Sequence, residues 1–403
     1  MKAGAKSPRT SKERERILRD LRSLKMARSV HAFVRGNTHQ FYDWLETSHS
    51  SRIPDGPDVW ICGDCHLGNL GPVAGADNTV DIQIRDLDQT VVGNPSHDII
   101  RLGLSLAMVA RGSELSGVTT ARMLEAVMAG YRGAMTNRAF IGPRPDLIAE
   151  TFKDSLRRKW RHLARERLEN PKPTIPMGKR FWPLFESERH GVEALVQHEN
   201  LRLLLTKLKH RDNDSVIELV DAAYWVKGCS SLGTLRIAAL IALSDEKKTA
   251  ATNELCLVDI KQAGATAAPR AANASMPRGH AERVVSGARH LSPYLGERMI
   301  ASEILESPVI VRELLPRDLK ITIGRLNRSE VLEVAGYLAH VVGRAHWRQM
   351  DAPTKRSWKT DLNRTYTKTL DAPSWLWASV VDLVAKHEAA YLEHCRKFAL
   401  RQK

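Results

Sequence analysis

Apolar residues along this chain recur at two different periods, and the change from one to the other divides it into helical outer parts and a strand-rich middle. Ile17, Leu18, Leu21 and Leu24 form a stripe that predicts a helix over residues 13–28, and a second helix is expected over residues 38–48. Val59, Trp60 and Ile61 read as a short buried strand. Val80, Ile82 and Ile84 alternate with Asp81, Gln83 and Arg85, the period of two that marks a half-buried strand. Pro95 and Ser96 open a helix over residues 99–111, and helical patterns follow at 119–137 and 144–168, ended by the prolines of Asn170-Pro171-Lys172-Pro173. Leu195, Leu201, Leu204, Leu205 and Leu208 predict one helix over residues 193–210, closed by Asp212-Asn213-Asp214. Residues 222–228, 234–243 and 255–261 then read as three consecutive strands. Val284, Val285 and Ala288 share one face of a helix at 281–291, residues 309–314 read as a strand, and two long helices are expected at 329–349 and 374–398.

Composition adds limits. With 403 residues, 43% of them hydrophobic and 27% charged, the chain has the make-up of a globular protein of two lobes or domains. It has no run of about 18 uncharged apolar residues, so no membrane span is expected. Residues 1–12 are polar and expected to be disordered, and residues 1–11 carry no apolar signal core. Five cysteines without framework spacing fit reduced thiols in a cytoplasmic protein.

The formal charge of +15 is concentrated in two places. Residues 1–28 hold ten Lys or Arg against three acids, and residues 153–167 hold seven against two. In the first segment Arg16, Arg19, Arg22, Lys25 and Arg28 recur every three residues; in the second, Trp160 and Leu163 sit among the bases. Both read either as solvated helix faces or as a grip on nucleic acid or another polyanion. If the first helix packs on the body of the protein, its apolar stripe is expected to dock on the large lobe.

The chemistry concentrates in Cys62-Gly63-Asp64-Cys65-His66-Leu67-Gly68-Asn69 and in Asp86-Leu87-Asp88 at the tip of the second strand. Asp64 and Asn69 have the spacing Asp-x-x-x-x-Asn, with Asp86 about one strand pair later. Phosphoryl transfer asks this of a kinase-type loop, in which the Asp accepts a hydroxyl proton while the Asn and the later Asp hold magnesium. Asp, Asn and Gly also dominate any strand-to-loop junction, so ordinary turn carboxylates are the alternative reading. Cys62-x-x-Cys65-His66 matches covalent haem attachment, which the missing signal core argues against, and Cys229, Cys256 and Cys395 are too scattered to complete a zinc site.

Gly-Asp-x-His-x-x-Asn followed by Asp-x-Asp resembles the catalytic and metal loops of the aminoglycoside phosphotransferase and choline kinase type. Over nearly its whole length the chain also resembles the uncharacterised bacterial family called domain of unknown function twenty-two fifty-two. Within the motif stand Asp64, His66 and Asn69. The resemblance implies that Asp64 is the base, Asn69 and Asp86 are metal ligands, and Asp98 is a brace behind the loop; Asp88 is a further candidate ligand. It also covers Lys25-Met26 and residues 33–36, which brings Arg35 toward the site, and it places Ala345-His346 near the cleft. Cys62 departs from the His that these kinases usually carry.

The strand-rich middle supplies candidates for a small lobe. Gly228, Ser230, Ser231 and Gly233 form a small-residue loop between strands whose amides suit phosphates, although it is neither a Walker loop nor a dinucleotide turn. Lys261 ends the third strand, where a kinase keeps the Lys that contacts the α and β phosphates; Glu282 is its expected acidic partner, and residues 309–314 suit the hinge. In a kinase these parts precede the catalytic loop, whereas here they follow it, so the fold implied is an α+β, kinase-like, two-lobed one in circularly permuted order. Residues 1–192 would begin the large, mostly helical lobe, 193–328 would form the small antiparallel-sheet lobe and hinge, and 329–403 would return to the large lobe. Lys261 and Asp86 are then expected within about 10 Å of each other. The function implied is transfer of the terminal phosphoryl of ATP, with Mg, to a small hydroxyl-bearing acceptor. Nucleotidyl transfer or ATP binding without turnover are variants on the same fold, and a nucleic-acid-binding or regulatory protein using the basic helices is the alternative of another class.

Overall fold

A computed structural model describes residues 8, 10–49, 53–136, 144–157, 174–208, 211, 215–244, 254–319, 327–363, 366–367 and 370–398. The Asn170 to Pro173 linker, Asp212 to Asp214, and residues 158–167 of the second basic segment, Trp160 and Leu163 included, lie outside the described residues.

The chain is α+β. It opens with α1 (Ser11–Met26), α2 (Val30–Gly36) and α3 (Thr38–Trp44), followed by β1 (Val59–Ile61), β2 (Leu70–Ala74), β3 (Val80–Ile84) and β4 (Val91–Gly93). Next come α4 (Ser96–Gly112), α5 (Gly117–Gly133) and α6 (Asp146–Arg157). The middle holds β5 (Phe181–Trp182), α7 (Glu186–Val196), α8 (Glu199–Thr206), β6 (Val216–Trp225), β7 (Arg236–Ser244) and β8 (Glu254–Gln262). After it run α9 (His280–Leu291), α10 (Pro293–Gly296), β9 (Met299–Ile304), β10 (Ser307–Leu314), α11 (Arg328–Trp347), α12 (Ala352–Leu362) and α13 (Ser374–Phe398).

Two cores result. The larger one is helical: α4, α5, α11 and α13 bury Leu102, Leu106, Leu124, Val127, Leu338, Val342, Leu376 and Val380 against one another. α5 and α11 cross at small residues, since a Cβ on Gly130 would stand 2.0 Å from the Gly336 carbonyl oxygen. Two short antiparallel pairs, β1 with β4 and β2 with β3, sit on this body. The second core belongs to a six-stranded sheet in the order β5-β6-β7-β8-β10-β9, every pair antiparallel. Its outer face, with Ile237, Ala239, Ile241, Val258 and Ile260, is covered by Val192 and Leu195 of α7 and Leu201 and Leu205 of α8. α9 packs across β9 and β10 at the edge of the sheet and on β1, so that Ala281, Val284, Val285 and Ala288 join the larger core together with Met299 and Ile310. The sheet unit therefore begins before residue 193, because β5 and α7 belong to it.

The single helix expected over 193–210 is two. α7 ends at Val196 and His198 precedes α8; the step of six from Leu195 to Leu201 breaks the three-and-four rhythm that one helix requires. β6 begins at Val216, ahead of the expected 222; its first six residues are exposed or half-exposed, although Val216, Ile217, Leu219 and Val220 are apolar. β9 and α12 carry too little pattern to be read in advance. The apolar stripe of α1 docks not on the large lobe but on the sheet unit, where Leu18 is buried with Trp182, Tyr224, Val226 and Leu232, while its C-terminal end also packs on α2 and α13, His394 of α13 lying 2.8 Å from the Ser23 carbonyl. Arg14 beside Leu18 is paired with buried Glu188 at 2.9 Å and lies over the rings of Phe185 and Tyr224.

Candidate functional site

The loop leaving β1 is fixed from behind. Asp98, in the first turn of α4 and fully buried, accepts the backbone N–H of Cys62 at 2.7 Å and that of Gly63 at 3.0 Å. His346 Nε2 of α11 lies 3.1 Å from the same carboxylate, and its Nδ1 is 3.0 Å from the Tyr131 hydroxyl. Tyr42 donates to the Gly63 carbonyl at 2.6 Å. Gly63 itself has φ +74°, and a Cβ there would meet the Gln89 carbonyl oxygen at 2.0 Å, so this turn admits no side chain.

The braced loop delivers Asp64 to a cleft between the two cores. Arg101, one helical turn after Asp98 on the same face of α4, donates from Nε to Asp64 Oδ1 at 2.9 Å and from Nη2 to the Val34 carbonyl at 2.7 Å. Burial pushes the Asp64 carboxyl up, and the Arg101 guanidinium opposes that shift. Asn69 donates to the Asp64 carbonyl at 2.9 Å, which ties both ends of the loop together. His66 is buried with Nε2 3.9 Å from Asp64, and burial, then Arg35 and Arg101, hold it far below the ordinary range; it is neutral.

Across the cleft stands the sheet. Lys261 Nζ lies 3.3 Å from Asp86 Oδ1 and also pairs with Asp88, although 175 positions separate Lys261 from Asp86. Asp88 is pushed up first by burial and then by the neighbouring Asp86 charge, with Lys261 opposing. Glu282 does not fill the role expected of it: it is exposed in the first turn of α9, its carboxylate folded over Gly279, and the acidic partners of Lys261 are Asp86 and Asp88. The reason is that α9 turns Ala281, Val284, Val285 and Ala288 inward, which leaves Glu282 on its exposed face.

The sheet face over the cleft carries charges that the sequence reading missed. Register places Arg236 opposite Lys261, and Arg312 opposite Asp259. Arg236 holds Asp259 through two bonds of 2.9 and 2.6 Å, and Arg312 reaches the same carboxylate at 3.1 Å. Despite burial, these two cations keep the Asp259 carboxyl well below the usual range. Alternation from Lys261 back to Asp259 could have revealed this network, but its partners lie on other strands.

The loop at residues 228–233 covers the cleft. Gly228 and Gly233 have φ +94° and +108°, and the Gly228 carbonyl accepts Lys25 Nζ of α1 at 3.1 Å. Two adjoining hollows, of about 210 and 460 Å³, share Asp64, Asn69, Asp86, Ser230 and Ser231. Lys261 and Asp88 line the smaller; Arg35, Arg85, Arg312 and residues 314–316 line the larger. Among the described residues no three His, Cys, Asp or Glu side chains converge to hold a metal. Magnesium needs no such cage, since it binds through one or two carboxylates together with substrate phosphates, and Asp86 with Asp88 offers that donor set.

No helix among the described residues is long and apolar enough to cross a membrane. Compared with curated proteins and with solved structures, the chain finds no match. One family model matches residues 14–397, and on that match over nearly its whole length the chain belongs to the family described as uncharacterized protein conserved in bacteria, DUF2252.

Proposed function

We propose that this chain is an ATP-dependent phosphotransferase on a circularly permuted kinase-like fold, moving the terminal phosphoryl group to a hydroxyl of a small acceptor with magnesium. The observation that carries the reading is Lys261 held between Asp86 and Asp88, beside the loop bearing Ser230 and Ser231 and across from Asp64. These parts come from distant stretches and meet in one cleft. The order loop, third-strand Lys, helix, hairpin and connector along residues 228–319 supports a small lobe, with the catalytic loop preceding it in the chain.

In this reading Asp64 accepts the proton of the attacking hydroxyl. Its carboxylate is aimed by Arg101, and the brace of Asp98 fixes the backbone beneath it. Asp86, Asp88 and Asn69 are the residues that would hold magnesium; the ion, when bound, neutralises charge on the transferring group. Lys261 and the amides around Ser230 and Ser231 orient the phosphates. Such catalysis is positioning and electrostatics, which the rigid setting of Asp64 serves.

The test is thermal. ATP with magnesium at a hundred times its dissociation constant adds about 2.7 kcal/mol, a rise of roughly 3 °C for a chain of this size. Asp86→Asn loses the magnesium-dependent part of that rise, while Asp64→Asn keeps binding and loses turnover. If no nucleotide shifts the melting temperature at any magnesium concentration, the reading fails.

A further inference from the structure

The charge lining the cleft says what kind of acceptor fits it. The larger hollow presents Arg35, Arg85, Lys227, Arg236 and Arg312 against three carboxylates, Asp64, Asp86 and Asp318. Each of the three is already engaged: Asp64 by Arg101, Asp86 by Lys261, and Asp318 by Arg298 at 3.0 Å to both oxygens. Asp259 is shared between Arg236 and Arg312. No Phe, Tyr or Trp lines either hollow. A cationic acceptor needs spare carboxylates or aromatic faces, and this cleft offers neither.

Arg35 is the cation left over. It sits in the last turn of α2, and it makes no ion pair or hydrogen bond among the described residues; its Nε is buried without a partner. Its guanidinium rests on Gly68, where a Cβ would stand 3.2 Å from Cζ, so the loop carrying Asp64 and Asn69 leaves room for it. Arg35 as a whole is half-buried, and a guanidinium whose Nε is buried and unmatched costs free energy unless an anion completes it. Arg35, Asp64 and Asn69 line the same hollow, which puts an anion bound at Arg35 on the side of the cleft where a hydroxyl meets the base.

We infer that the acceptor is an anionic hydroxyl compound, bearing phosphate or carboxylate, and that Arg35 grips this group. The inference deepens the phosphotransferase reading and rests on it for the word acceptor.

The experiment uses the full chain with magnesium and a saturating non-hydrolysable ATP analogue, which occupies the Lys261 side. Inorganic phosphate, citrate and choline are titrated calorimetrically in separate arms. Phosphate or citrate binds and choline does not; which anion wins identifies the group. Arg35→Ala weakens that binding about tenfold or more, the loss of one charge-assisted contact, and Arg35→Lys restores part of it. Where Arg35→Ala does not fold, Gly68→Ala displaces the guanidinium and must weaken the anion as well. Binding of the analogue without either anion, equal anion affinity in the Arg35 or Gly68 variants, or ATP turnover drawn by choline or an aminoglycoside overturns the inference and leaves the phosphotransferase reading intact. Arg35-dependent anion binding with no nucleotide binding sinks the phosphotransferase reading instead, and the anion site stands.

Discussion

Asp98→Asn isolates the brace behind the catalytic loop, because it keeps the shape of the side chain and removes one acceptor. In the folded protein the two carboxylate oxygens take the N–H groups of Cys62 and Gly63, at 2.7 and 3.0 Å, in a site with no solvent. An asparagine satisfies one of them; its NH₂ then faces the other donor. A hydrogen bond to a charged group contributes about 1.5–3 kcal/mol, and a buried donor left unsatisfied costs about 1–3 more. The expected loss is therefore about 3–5 kcal/mol, or roughly 4–6 °C in melting temperature given about 0.85 kcal/mol/K of unfolding entropy for a chain of this size. Differential scanning fluorimetry measures it. Asp351→Asn is the control, since Asp351 caps α12 at the exposed surface through Thr354 N–H at 2.8 Å and Asn caps as well as Asp; its shift stays under about 1 °C. If the two variants melt within a degree of each other, the loop is not held by Asp98 and the argument for a rigidly placed Asp64 falls.

Further outcomes follow from other parts of the molecule. Removing residues 1–28 uncovers Trp182, Tyr224, Val226 and Leu232 and leaves Glu188 without Arg14, so the shortened chain melts several degrees lower and binds hydrophobic dye; unchanged melting would refute the docking of α1. In and just after that helix Arg22 and Lys25 are engaged by the carbonyls of Gly36 and Gly228 and Arg19 pairs with Glu15, leaving Lys12, Arg16 and Arg28 outward, so nucleic-acid affinity plotted against salt has a slope of about −3 or shallower from residues 11–28; a slope of −5 or steeper that disappears on truncation would restore the polyanion grip. Burial holds His31, His97 and His387 each at about 4. They stay neutral in the folded chain and take up protons near pH 6.5 once unfolded, so their contribution is complete above pH 6.5 and is lost as pH falls toward 4. Melting temperatures at pH 7 and pH 5 check this, with His387→Gln flattening the decline by roughly a fifth, since His66 and His340 are lowered by burial as well; equal values at both pH would contradict it.

Local pattern made much of this molecule legible. The alternation of Val80, Ile82 and Ile84 gave β3, and the stripes of α4, α11 and α13 gave helices close to those observed, since periodicity reports which face is buried. Asp64, Asn69, Asp86 and Lys261 were singled out by spacing and are brought together in the cleft. What escaped depends on contacts between distant segments. The Arg236, Asp259 and Arg312 network exists only through strand register, and Arg101 acquires its meaning only once α4 is laid under the loop. Glu282 was chosen as a partner for Lys261 by chain order alone, whereas the packing of Val284, Val285 and Ala288 into the larger core turns it to solvent. The basic stripe Arg16, Arg19, Arg22, Lys25 and Arg28 reads as one face, but tertiary contacts divide it, since Arg22 and Lys25 reach the carbonyls of Gly36 and Gly228 while Arg16, Arg19 and Arg28 are exposed.

The central claim, that nucleotide phosphates lie between Lys261 and the loop carrying Ser230 and Ser231, is tested most directly by an acyl-phosphate derivative of ATP that acylates the nearest lysine. With magnesium present, peptide mass spectrometry should find the label on Lys261, suppressed by excess ATP and reduced in Asp86→Asn. Labelling confined to surface lysines and insensitive to ATP would contradict the account.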